Sequence, residues 1–194
     1  MRIYITDISS RNRLTFGIKF VILYRIRYRK ESKITMIKNR VLALDASTTH
    51  VGFVVASDKY EVGWQIAYKG DLDQRMLAIG KEVQQVLFDF LPHWVAIENP
   101  VFIKRGRGGT GGVPTFYKLS KIIGMVQYLC LINGVKVLEV HPWSVKLALA
   151  GARRASKKRM REAACSFLGL SEIGEHHADA VGVWLSWKKK VLGR

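Results

Sequence analysis

The sequence is poor in cysteine, in acid and in long apolar runs. Only two cysteines occur in 194 residues, which excludes a disulfide-stapled scaffold and a zinc site built on paired cysteines. Cys130 and Cys165 sit in apolar, helix-like contexts and read as buried thiols of a reducing compartment. No apolar run reaches the roughly 20 residues of a membrane span. Stretch 16–24 is broken by Lys19, and Arg25, Arg27, Arg29 and Lys30 follow where a signal peptide would carry small residues. Acid is scarce: 15 Asp and Glu face 32 Lys and Arg, a net charge of +17. A hydrophobic share of 48% excludes disorder throughout, and the length suits one domain with an added arm.

The charge points to a polyanionic partner, because each phosphate neutralised by Lys or Arg releases a condensed counterion. Nucleic acid is the leading candidate and an anionic membrane surface the weaker one; a merely solvated basic surface is the bland alternative. Residues 1–35 hold nine Lys or Arg against Asp7 and Glu31. They form a basic extension with three readings: an arm lying on DNA, a short element packed on the domain, or an over-long gene start with translation beginning at Met36. Residues 36–194 form the domain proper.

Within it, 41–46 is an apolar run that fits a buried strand, and 51–57 and 61–68 are strand-like around a polar turn at Asp58-Lys59. Residues 72–91 carry Leu72, Met76, Ile79, Val83, Val86, Leu87 and Phe90 at helical spacing, and Pro92 stops the helix. A short strand runs from Trp94 to Glu98, a Gly- and Arg-rich loop fills 103–113, and Pro114 opens a helix that Asn133-Gly134 ends. A fifth strand at 135–140 and three helices follow, starting near Pro142, at Ser156 as N-cap, and near Glu175. A three-strand meander followed by right-handed βαβ crossovers predicts an α/β fold, a mixed sheet with helices on both faces and chemistry at the carboxyl ends of adjacent strands.

Three acidic signals stand on that frame. Asp45 ends an apolar strand, where a charge is costly unless paired or bound to metal. Glu98 repeats the arrangement in Val95-Ala96-Ile97-Glu98-Asn99-Pro100. If the two strands are neighbours, the carboxylates face each other, and a divalent cation relieves their repulsion. His176 and Asp179 lie three apart on one helical face, with Glu175 able to join them or cap the helix; His177 points elsewhere. Taken singly, each is an ordinary turn, loop or surface pair; together, in this element order, they predict a shared metal site.

These residues resemble a known family. Leu42-Ala43-Leu44-Asp45 with Gly52, then Ala96-Ile97-Glu98, then His176-x-x-Asp179-Ala180 look like the RuvC-type Holliday junction resolvases of the RNase H-like superfamily, over about residues 40–187. The resemblance implies a five-stranded RNase H-like sheet, three antiparallel strands plus two parallel. It implies a cytoplasmic homodimeric endonuclease of a bacterial or phage-infected cell that nicks two strands of a four-way DNA junction symmetrically. It implies two Mg²⁺ or Mn²⁺ ions, about 3.5–4 Å apart, holding the attacking water and the leaving oxygen in line. Asp45 would bridge both ions, with Glu98 on one and Asp179 on the other. His176, where many members carry an acid, would be a ligand or the base that orients water.

Lys146 and Lys157 match the family's lysines near the cleaved phosphate, with Lys158 an equal candidate for the second place. Phe102, Lys104, Arg105 and Arg107 belong to the basic loop after Glu98. Phe102 is similar to the family's stacking aromatic but stands one residue further on, because Asn99-Pro100 replaces a single residue. That loop lacks the Gly-Lys-Ser/Thr of a nucleotide-binding loop, so no nucleotide cofactor is expected. Arg153 and Arg154, with Arg159 and Arg161, extend the basic surface toward DNA. The stripe Leu119, Ile122, Ile123, Val126 and Leu129, with Gly124 allowing close approach, lies on the helix that forms the dimer interface in the family.

Three other readings compete. One is a different RNase H-like nuclease acting on branched or flapped DNA or on RNA–DNA hybrids. Another is an actin or sugar-kinase fold, suggested by Leu44-Asp45-Ala46-Ser47-Thr48-Thr49, which needs two such halves and a longer chain. The last is a non-catalytic junction-binding protein on a degenerate nuclease fold.

Overall fold

Strand periodicity explains the architecture. The computed structural model describes residues 39–100 and 113–193. Strands β1 (Val41–Ala46), β2 (His50–Ala56), β3 (Tyr60–Ala67), β4 (Trp94–Glu98) and β5 (Lys136–Val140) form one sheet in the order β3-β2-β1-β4-β5. The first three pair antiparallel; β4 joins β1, and β5 joins β4, in parallel. This is the mixed five-stranded sheet expected from the sequence.

Side chains alternate between the two faces. Leu42, Leu44, Phe53, Val55, Val95 and Ile97 pack beneath helices α1 (Leu72–Phe90) and α2 (Val113–Ile132). Val41, Ala43, Val54, Ala56 and Ala96 face the other way, against α3 (Pro142–Ala150), α4 (Lys157–Leu168) and α5 (Glu175–Leu192). Helices therefore cover both faces. The odd positions of β1 and the even positions of β4 both point at α5, which fixes the direction of Asp45 and Glu98. Alanines at 43 and 96 are small enough to let α5 settle close over the middle of the sheet, with Ala178, Val181, Trp184 and Trp187 buried there.

Local punctuation acts as the sequence suggests. Asp71 caps α1 in a reciprocal box with Gln74. Leu91, at φ 46°, is the left-handed C-cap, so the chain leaves the helix one residue before Pro92 rather than at it. Ser156 caps α4 through the Arg159 N–H, and Gly151 and Gly169 close α3 and α4. One expectation needs correction: Cys165 is only half-buried, unlike Cys130. A Cβ at Gly124 would meet nothing within 4 Å among the described residues. Among the described residues no helix is long and apolar enough to cross a membrane.

Candidate active site

The carboxyl ends of β1 and β4 meet under the first turns of α5. Register pairs Leu44 with Ile97, so the next residues, Asp45 and Glu98, lie side by side at the sheet end. Across the antiparallel ladder Asp45 pairs with Gly52, and that glycine lets α5 reach the sheet. A Cβ at Gly52 would stand 1.9 Å from the His176 carbonyl oxygen. Gly63 gives the same clearance beneath the His177 ring, and Gly174 beneath Gln65. Gln65 Oε1 also accepts from the His177 backbone N–H at 3.2 Å, fixing the height of the helix start.

His176 turns toward the strand end. Its Nδ1 donates to Asp45 Oδ2 at 2.6 Å, both side chains being largely buried. Burial alone would lower the His176 pKa, but the Asp45 carboxylate outweighs it and raises it. Glu98 is pushed up to about 8, first by desolvation, then by the charges of Asp45 and Asp179, with Lys146 opposing. Asp179 rises to about 7 for the same first reason and through Asp45, with His176 and Lys146 opposing. These mutual effects locate Asp45, Glu98, Asp179, His176 and Lys146 in one electrostatic neighbourhood.

A divalent cation suits this donor set. Three carboxylates and an imidazole are the oxygen-rich ligands that Mg²⁺ and Mn²⁺ take, and buried carboxylates driven toward protonation by one another are what a cation would stabilise as anions. Among the described residues no three such side chains are already drawn together closely enough to hold an ion outright; His176 instead closes on Asp45.

The structure separates the two candidate lysines. Lys146, half-buried on α3, adds its charge to Glu98 and Asp179. Lys157, at the exposed start of α4, is hydrogen-bonded to Glu175, whose pKa is lowered by that ammonium despite burial. Glu175 thus holds a lysine and does not cap α5, whose N-cap is Gly174 without a side-chain bond. Lys158 lies on the exposed face with Glu162 at 3.9 Å. Arg153 and Arg154 are exposed in the turn between α3 and α4. Phe102, Lys104, Arg105 and Arg107 lie outside the described residues.

One neighbour escapes the sequence reading, and a second, His177, is read there only as pointing elsewhere. His50 stacks on His176, rings 5.2 Å apart and 11° from parallel, and its Nδ1 meets Thr49 Oγ1 at 3.0 Å. The signal was parity: His50 is two residues before Gly52 on the strand face that meets α5. His177 is buried beneath Tyr60, whose hydroxyl lies 3.0 Å from its Nε2, and burial depresses its pKa to about 4. The Ser47–His50 segment is a hairpin turn closed on itself, Ser47 Oγ accepting the His50 N–H at 2.8 Å. That use of the serine gives no support to the phosphate-loop reading.

Comparison with known proteins identifies the family and the fold. The family model for crossover junction endodeoxyribonuclease RuvC matches residues 41–186. A RuvC from Caldicellulosiruptor saccharolyticus is 26% identical over 74% of this chain and 89% of its own. The solved RuvC of Thermus thermophilus superposes with a TM-score of 0.63 at 27% identity, over 79% of this chain and 96% of that one. Its structure in complex with a Holliday junction substrate gives the same TM-score at 24% identity, with the same coverage. With β1, β4 and the first turns of α5 inside the matched span, the chain belongs to the crossover junction endodeoxyribonuclease RuvC family.

Proposed function

We propose that this protein resolves four-way DNA junctions by paired symmetric nicks, acting as a homodimer with two Mg²⁺ or Mn²⁺ ions per active site. The observation that carries the reading is the meeting of Asp45, Glu98, His176 and Asp179 at one sheet end beside Lys146. The Thermus relative, of the same fold, is described with a Holliday junction substrate.

Asp45, Glu98 and Asp179 would hold the ions, with His176 as a further ligand or as the base that orients water. When bound, the cations would supply Lewis acidity and a water acidified enough to attack phosphorus. The chain's own residues do the rest. Nδ1 of His176 is engaged by Asp45, so its part as ligand or base would fall to Nε2. Lys146 offsets charge developing on the phosphate in the transition state. Lys157 or Lys158 would do the same only after release from its carboxylate partner. Phe102, Lys104, Arg105 and Arg107 would contact the branch point, and Arg153 and Arg154 the flanking backbone. The basic extension 1–35 is a further candidate arm.

The dimer reading rests on an apolar face. Leu77 and Phe88 on α1 are each 60% exposed, and Tyr128 and Leu131 on α2 are 62% and 73% exposed. Met76, Met125 and Leu129 line the groove between the two helices. Exposed apolar side chains on two neighbouring helices favour an interface here, and a two-fold enzyme suits two equivalent phosphates.

The test is cleavage of a labelled four-way junction, a matched duplex and an RNA–DNA hybrid with Mg²⁺ or Mn²⁺, beside Asp45→Asn. Paired nicks on the junction alone, lost in the variant, are expected. Cutting of the hybrid or of every branched form would move the protein to a broader nuclease class. Tight binding without cutting would make it a junction-binding protein.

A further inference from the structure

Beside the carboxylates lies a second feature, an exposed indole seated under a guanidinium. Trp143 is the second residue of α3 and is 41% exposed. The guanidinium carbon of Arg153 stands over its ring, 4.5 Å from the centroid. His141 also packs on Trp143, centroids 5.2 Å apart, and accepts the Trp143 backbone N–H at 3.2 Å.

The backbone holds both partners in place. Proline at the first position of α3 and the His141 cap fix the start of the helix under Trp143. Gly151, at φ 69°, ends α3 and turns the chain back. Ala155 is buried and Ser156 caps α4, so the intervening turn that carries Arg153 is anchored at both ends. Among the described residues, no Asp or Glu forms an ion pair with Arg153. A guanidinium that stacks on an aromatic face leaves its in-plane N–H donors for a ligand. The site is a cation seated on an indole, with no carboxylate partner among the described residues.

Its place in the fold says which anion. Trp143 precedes Lys146 by three residues, one side of one helical turn, about 4.5 Å along the axis. Lys146 is the cation whose charge reaches Glu98 and Asp179. A phosphodiester strand laid across the carboxylates and Lys146 and running along α3 would pass Trp143. A guanidinium presented edge-on matches two phosphate oxygens, which a lysine ammonium cannot do.

We propose that Arg153, held on Trp143, is a preformed phosphate clamp for the DNA strand next to the cut, with Trp143 as its positioning residue. The inference rests on the nuclease reading above and adds to it the residue that pre-orders the cation. Trp143 would act through Arg153, by removing the flexibility the long side chain otherwise loses on binding.

The test uses the full-length protein and four-way junction DNA, with Ca²⁺ in place of Mg²⁺ for binding and Mg²⁺ for turnover. Wild type is measured first: a wild type that neither binds nor cuts branched DNA sinks the nuclease reading itself. Given binding, Arg153→Gln should weaken the junction complex about tenfold and reduce the slope of log affinity against log salt by about 0.9. Trp143→Ala should weaken it about fivefold with a smaller change in slope, since the charge remains. Trp143→Phe should restore most of the loss, because a phenyl face still seats a cation. The loss should fall on KM rather than kcat, and circular dichroism should show all variants folded. The double variant Trp143→Ala, Arg153→Gln should be no weaker than Arg153→Gln alone. A further fivefold loss in the double variant would overturn the proposal and make Trp143 an independent contact, as would a Trp143→Ala protein that binds like wild type.

Discussion

Replacing Gly52 by alanine tests the central geometric claim, that a single missing Cβ lets α5 deliver its residues to Asp45. The added carbon would lie 1.9 Å from the His176 carbonyl oxygen and 2.3 Å from its carbon, where ordinary contact begins at 3.4 Å. The gap must open by about 1.5 Å, and both sides are backbone, so no rotamer can yield. Helix α5 is anchored further along by Trp184 and Trp187, both buried, so its first turn would have to lift. Overpacking of this kind costs about 3 kcal/mol at the upper end of its usual range, a fall in Tm of roughly 6–12 °C for a domain of this size. The catalytic cost is of similar size. A displacement of about 1 Å in a positioned group costs about 100-fold in rate, or about 2.7 kcal/mol of barrier. His176 sits at the clash and Asp179 one turn beyond it. We therefore expect Gly52→Ala to fold, to bind junction DNA in Ca²⁺ within about threefold of wild type, and to lose at least about 100-fold in Mg²⁺-dependent cleavage. Gly63→Ala is the graded control: its Cβ would meet the tips of His177 and Tyr60, at 2.3 and 2.6 Å, and side-chain tips can move. Thermal unfolding with single-turnover cleavage reads both quantities. Wild-type Tm and wild-type turnover in Gly52→Ala would refute the reasoning.

Three more predictions follow from the site and its surface. Glu98 and Asp179 are held protonated up to about 8 and 7 in the fold but ionise near 4.3 and 3.9 when unfolded. The folded state thus binds more protons across that window, and these two groups make stability fall as pH rises through it. Added Mn²⁺ should accordingly raise Tm more at pH 8 than at pH 5.5, and an equal shift at both would count against a cation bound by these carboxylates. His50→Ala removes the ring stacked on His176; we expect kcat to fall about tenfold with KM unchanged, and His50→Phe to recover most of it, whereas a Phe variant as poor as Ala would rule out stacking as the cause. Phe88→Glu together with Leu131→Glu should convert a dimer into a monomer by light scattering and uncouple the two nicks, a reading that a monomeric wild type would end.

Much of this protein is determined by local sequence. The unbroken apolar run Val41-Leu42-Ala43-Leu44 sets a strand with two buried faces, and strand parity aims Asp45 at one of them. Ser156, Gly151 and Pro92 bound their helices for reasons contained within a few residues. The spacing of His176 and Asp179 places them on one helical face before any tertiary contact exists. Other features needed the assembled fold. The 2.6 Å contact between Asp45 and His176 joins residues 131 apart, and it depends on the sheet register, the alanines at 43 and 96, and the absence of a Cβ at Gly52. Lys146 and Lys157 look alike as lysines near helix starts, yet only packing gives one to the carboxylates and the other to Glu175. His50, His177 and the seat of Arg153 on Trp143 belong to the same class. Periodicity and capping are short-range and leave their mark in adjacent letters; the partner of a side chain across a sheet or between helices is chosen by how closely backbones approach, and that distance is set by every residue of the core at once.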